Sequence, residues 1–131
     1  KESLIMNDLS EVMILIGGFY NLGFAIFHLM FWRLFRWKRD LSSLPFINRS
    51  VMQILNLCLT FVFLLMAYIS FFNTSELIQT NLGKALLVGF SLFWFLRMIE
   101  QIIFFGIRNL ISIALTLVFL FGCVIYLIPL I

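Results

Sequence analysis

Four apolar runs, each about the length needed to cross a bilayer, alternate with short polar stretches along this chain. The first runs from Val12 to Leu34 and the second from Ser50 to Phe72. The third covers Leu82 to Gly106 and the fourth Asn109 to Ile131. A helix rising ~1.5 Å per residue crosses ~30 Å of hydrocarbon in about 20 residues, so each run predicts one transmembrane helix. The polar breaks support this division. Trp32 and Trp37, with Arg33, Arg36, Lys38 and Arg39, make an aromatic and cationic belt after the first run. Pro45 follows, and Ser50 is placed to cap the second helix. Asn73, Thr74 and Ser75 separate the second run from the third, with Glu76 near a helix start. Gly106 ends the third, and its connection to the fourth is so short that the last two helices form an antiparallel hairpin. The expected fold class is therefore all-α, a single-domain antiparallel four-transmembrane-helix bundle spanning residues 1–131. The first run is too long for a signal-peptide core and is followed by further spans, so it is expected to remain as a helix.

Composition agrees with the pattern. Of 131 residues, 63% are hydrophobic and 11% charged, against roughly half and a quarter in soluble domains. That surplus of apolar surface calls for a lipid solvent. Net charge is +3, but the cations are concentrated rather than spread. Arg33, Arg36, Lys38, Arg39 and Arg49 lie in the first loop and Arg108 in the third, against Lys1 and Lys84 on the opposite side. This positive-inside bias puts the 33–50 loop in the cytoplasm and both chain ends on the outer, periplasmic or luminal, side. It also excludes a nucleic-acid-binding role, because no soluble region is large enough to carry one. Cys58 and Cys123 sit inside apolar runs without metal or redox spacing and read as packing residues.

Ionisable residues within the spans are expensive, and so they are the candidate chemistry. They are His28, Arg97 and Glu100, accompanied by the amides Asn21, Gln53, Asn56 and Gln101. Counted from the inner end of each run, His28, Asn56 and Glu100 all fall roughly 9 Å deep and Arg97 roughly 13 Å. Asn21 and His28 share a helix face, as do Gln53 and Asn56, while Arg97, Glu100 and Gln101 span about 100° of arc. Three helices thus bring polar groups to one level. Two readings compete: a closed hydrogen-bond network that fixes helix register, or a pocket open to the cytoplasm.

The pocket reading leads to a small membrane protein that binds or translocates a small ligand, ion or proton as a homo-oligomer. The alternatives are a non-catalytic subunit of a larger membrane complex and a small enzyme acting on a lipidic substrate. No catalytic motif is present, which weighs against the enzyme. A single histidine supplies no metal site unaided, and no cofactor is expected. Arg33, Arg36, Lys38 and Arg39 are expected to attract an anionic lipid or ligand towards the polar layer. Gly17, Gly18, Gly23 and Ala25 give the first helix a smooth patch for close helix packing. The fourth helix, with Ser112, Thr116 and Tyr126 as its hydroxyls, is expected to be apolar packing.

Overall fold

The computed structural model describes residues 2–131, with side chains from Leu4 onward; Lys1 and the side chains of Glu2 and Ser3 lie outside that description. Seven helices follow in order: α1 (Glu2–Leu29), α2 (Phe31–Leu34), α3 (Trp37–Asp40), α4 (Phe46–Phe72), α5 (Thr74–Gln79), α6 (Asn81–Phe105) and α7 (Leu110–Leu127). Short 3-10 turns occupy Leu41–Ser43 and Ile128–Leu130. Four segments are long and apolar enough to cross a membrane: Leu4–Leu29, Phe46–Phe72, Asn81–Phe105 and Leu110–Leu130. The chain is an all-helical, multi-pass integral membrane protein.

The boundaries depart from the hydropathy pattern in three places. Helix α1 begins near Glu2, because no Gly or Pro interrupts residues 2–11 and the acids Asp8 and Glu11 stay on its exposed side. It stops at Leu29, not Leu34, and the aromatic residues that follow form α2 instead. Helix α4 starts at Phe46, directly after Pro45, so Ser50 lies inside the helix and caps nothing. Proline's fixed φ and missing N–H suit the position just before a first turn. The starts of α6 and α7 are capped by side chains. Thr80 Oγ1 accepts from Gly83 N at 2.9 Å to open α6. Asn109 Oδ1 accepts from Ser112 N at 2.8 Å to open α7.

Each long helix turns a stripe of small, polar and some aromatic residues inward and shows large aliphatic and aromatic residues to the outside. On α1 the stripe is Ser10, Ile14, Gly17, Gly18, Asn21 and Ala25. Helix α4 contributes Asn56, Thr60, Phe63, Met66, Ala67 and Ser70. Lipid replaces water as the solvent of the outer surface, so helix contact is driven by close packing and by satisfying polar groups rather than by hiding leucines.

Helix α1 packs along α4 and α7, and α6 packs along α7. The antiparallel hairpins α1/α4 and α6/α7 therefore form two leaves joined along the α1–α7 seam. On the other side, α4 and α6 are held apart. At the end carrying residues 73–80, called the far end here, α5 bridges them, with Leu77 1% exposed. Midway, aromatic rings bridge them: Trp94, fully buried, stacks on Phe63 (centroids 5.3 Å) and on Phe119 (5.9 Å), with Tyr20 edge-on at 4.8 Å. Towards the basic loop, called the basic end, nothing comparable fills the space.

Candidate functional site

That unfilled space is a cleft of about 390 Å³ whose floor is the Trp94–Phe63–Phe119 cluster. Its walls are mostly aromatic. Three polar side chains reach it: His28 from α1, and Arg97 and Gln101 from α6. A second opening of about 580 Å³ between α1 and α7 shares Phe27, Phe35, Gln101, Phe105 and Leu115 with the cleft, so the space continues sideways towards lipid.

On one wall His28 is oriented by Asn56. Asn56 Nδ2 donates to the His28 carbonyl at 2.9 Å, which turns its Oδ1 towards the ring, 2.7 Å from Nδ1. An amide oxygen only accepts, so Nδ1 carries the proton. Among the described residues Nε2 bonds to nothing. The ring also lies against Phe31 (4.2 Å) and Phe63 (5.1 Å). Asn56 itself stands behind the histidine and does not line the cleft.

On the facing wall a relay holds Arg97. Its Nη2 donates to Gln101 Oε1 at 3.2 Å, Gln101 Nε2 donates to Ser112 Oγ at 3.1 Å, and Ser112 Oγ donates to the Gly106 carbonyl. The guanidinium carbon sits 4.5 Å over the Phe119 ring, a cation–π contact. Gly106 adopts φ 73°, which ends α6 and turns its carbonyl to this relay. The relay thereby ties the guanidinium to the α6/α7 hairpin. No carboxylate approaches Arg97 within ion-pair distance, since Arg39–Asp40 is the one ion pair among the described residues. No hydrogen bond there joins the His28–Asn56 pair to the Arg97–Gln101 pair. The cleft separates them.

The other expected site residues lie elsewhere. Glu100 is exposed on the outer face of α6. The 100° arc holds, but the bundle interior lies at its Gln101 end, 1% exposed. Glu100 is roughly 60° further round the helix from Arg97 in the opposite sense. Gln53 accepts from Trp32 Nε1 at 2.9 Å, beside α2 and outside the cleft lining. Asn21 is fully buried towards the far end, where Nδ2 donates to the Gly17 carbonyl (2.8 Å) and the Tyr126 hydroxyl (2.7 Å). The Tyr126 oxygen is also 2.7 Å from Ser70 Oγ. Arg33 and Lys38 line a surface pocket at the basic end, whereas Arg36 and Arg39 do not.

Sequence reasoning missed Ser112 and Tyr126, which complete the two networks from a helix expected to be plain packing. A hydroxyl in an apolar run leaves no periodic mark. The notable signal was positional: Ser112 lies three residues after an Asn at a helix start, a spacing typical of a cap. Two buried atoms have no partner among the described residues: Asn21 Oδ1 and Trp94 Nε1. The second belongs to a residue of the cleft floor. No three metal-ligating side chains come together among the described residues.

Fold and site together define a four-helix integral membrane protein with a one-ended, aromatic-walled cleft holding an arginine and a histidine. No protein-family model, curated protein or solved structure matches the chain.

Proposed function

We propose that this chain binds a small amphipathic anion, its apolar part among the aromatic walls and its acidic group between Arg97 and His28. The observation that carries the reading is Arg97: a guanidinium in an apolar cleft with one amide partner and, among the described residues, no ion-pair partner. A central arginine costs about 2.5–3.5 kcal/mol to insert, and a register lock alone would not require the charge. An acidic ligand supplies the missing partner through charge-assisted bonds. Nε2 of His28 on the facing wall is an acceptor while the ring is neutral and becomes a second donor to the acidic group when the ring is an imidazolium. The cleft volume lies within the usual range for small-ligand pockets, about 300–1,000 Å³. The opening between α1 and α7 gives a hydrophobic ligand a route from the bilayer.

Binding is favoured over passage. The Asn21–Tyr126–Ser70 network and the aromatic floor close the bundle beyond the cleft, and a translocation path would need both to part. By the positive-inside rule, the cleft opens towards the cytoplasm.

The test is tryptophan quenching in detergent or nanodiscs by a brominated fatty acid, with a brominated fatty alcohol of equal length as the uncharged control. Quenching of the wild type by the acid at lower concentration than by the alcohol supports the reading. Arg97→Gln is expected to weaken acid binding about tenfold or more, the loss of one charged hydrogen bond. Equal affinity for acid and alcohol, or an unchanged Arg97→Gln variant, overturns it.

A further inference from the structure

A second cavity, of about 550 Å³, lies at the basic end outside the bundle. Three cations line it from three separate elements: Arg33 on α2, Lys38 on α3 and Arg49 in the first turn of α4. Among the described residues no Asp or Glu lines it. Asp40, the acid of this loop, is paired to Arg39 Nε at 3.0 Å instead. Three like charges around one hollow repel each other unless an anion joins them.

The cavity is held in shape by its own framework. Arg36 takes a left-handed conformation (φ 51°, ψ 47°), which reverses the chain between α2 and α3. The reversal brings Trp37 against Phe31 (5.4 Å) and Trp32 (5.1 Å), and Trp37 is only 7% exposed. Trp32 is fixed in turn by its bond to Gln53, whose Nε2 donates to the Arg49 carbonyl at 3.1 Å. A non-glycine residue in the left-handed region costs energy and persists where its surroundings hold it there. Here the surroundings are the indole pair that forms the cavity wall.

We propose that this cavity binds the phosphate of an anionic phospholipid headgroup. Two guanidiniums and an ammonium suit phosphate oxygens. Two tryptophans at the same level belong to the headgroup zone of a bilayer. The lipid source is favoured over a soluble phosphate by the flank, where the Phe46 ring lies 5.7 Å from the Arg49 guanidinium and is 72% exposed, an apolar surface beside the cations for acyl chains. The site differs from the one the loop's charge count suggests, since Arg49 takes part and Arg36 and Arg39 do not. It stands independently of what occupies the cleft.

The test uses the full chain in detergent, delipidated and titrated with phosphatidylglycerol or with phosphatidylcholine of identical chains, bound lipid being read by native mass spectrometry. Selective retention of phosphatidylglycerol is expected. Arg49→Gln and Lys38→Gln should each weaken it about fivefold, at about 1 kcal/mol per cation near the surface. Arg49→Lys should keep most of it. Arg36→Gln and Arg39→Gln remove the same charge from the same loop and should weaken binding less than roughly twofold, as screening of a more distant charge allows. Equal losses in all four Gln variants would mean a diffuse basic surface and overturn the site. Equal retention of the two lipids would overturn it as well. Displacement of the lipid by low-millimolar inorganic phosphate would move the assignment to a soluble anion and overturn the lipid. Thermal unfolding of each variant confirms that losses arise in a folded chain.

Discussion

The far half of the bundle and its basic half both hold polar side chains inside the membrane, yet one is closed and the other open. In the far half, Asn21, Tyr126 and Ser70 bond across three helices, and glycines let the chains touch. A Cβ at Gly17 would lie 2.5 Å from the Tyr126 ring, and one at Gly122 would lie 2.5 Å from the Tyr20 hydroxyl. In the basic half, His28 and Arg97 bond along their own walls and leave a gap between them. Polar residues in the same bundle therefore do two jobs. Where they meet each other they lock helices. Where they face a void they are held ready for something else.

The largest test of this contrast is truncation on either side. Tyr126 is fully buried and its hydroxyl serves two partners. Tyr126→Ala is expected to lower stability by about 3–5 kcal/mol, the usual range for a buried aromatic, read by reversible unfolding in mixed micelles. Met52 lines the cleft and is 43% exposed. Met52→Ala should cost under about 1 kcal/mol, because little packing is lost. Similar costs for the two would erase the distinction between a locked half and an open one.

Arg97→Leu comes next and runs in two directions. Removing a guanidinium without an ion-pair partner from an apolar cleft is expected to stabilise the empty protein by about 2 kcal/mol, near the low end of the insertion cost of arginine. The same change should abolish the preference for acid over alcohol in the quenching assay. A destabilised variant would mean that Arg97 holds the α6/α7 hairpin together and that the charge is structural.

Asn56→Leu should have a smaller effect. It removes both bonds that orient His28, at about 0.6 kcal/mol each by the average for membrane hydrogen bonds, so roughly 1 kcal/mol in all. Acid binding should weaken only a few-fold, because Arg97 is untouched. A loss as deep as that of Arg97→Gln would make His28 the principal contact.

Much of this was legible in the chain. The four spans, the tight hairpin at Gly106 and the smooth patch at Gly17, Gly18 and Ala25 follow from residue type and run length, which lipid reads directly, while Gly23, expected in that patch, faces outward with no neighbour. The turn between α1 and α4 was not legible. Residues 30–44 mix aromatics and cations that suit a helix end, a surface belt or a short helix equally, and tertiary contact selects among these. Trp37 reads as a belt residue but is buried against Trp32 and Phe31. Depth was legible only to within the helix ends: α1 ends at Leu29, so His28 lies one residue from its terminus, while Asn56 lies ten residues into α4. The two still meet, because the start of α4 extends beyond the end of α1 on that side.

The smallest effect separates two neighbours on α6. Glu100 and Gln101 are adjacent in sequence and both polar, so the chain alone gives no reason to treat them differently. The bundle does, since Gln101 is 1% exposed and lies between Arg97 and Ser112, whereas Glu100 faces outward. Glu100→Gln is expected to leave acid binding unchanged. Gln101→Leu removes the acceptor that positions the guanidinium and the donor to Ser112, and should weaken acid binding a few-fold while Arg97 keeps its charge. Charge arithmetic alone makes the opposite forecast: removing a nearby carboxylate should strengthen anion binding, and replacing a neutral amide should do nothing. Quenching titrations of these two variants, side by side, therefore decide whether the cleft recognises its ligand by where Arg97 is held or merely by the local sum of charge.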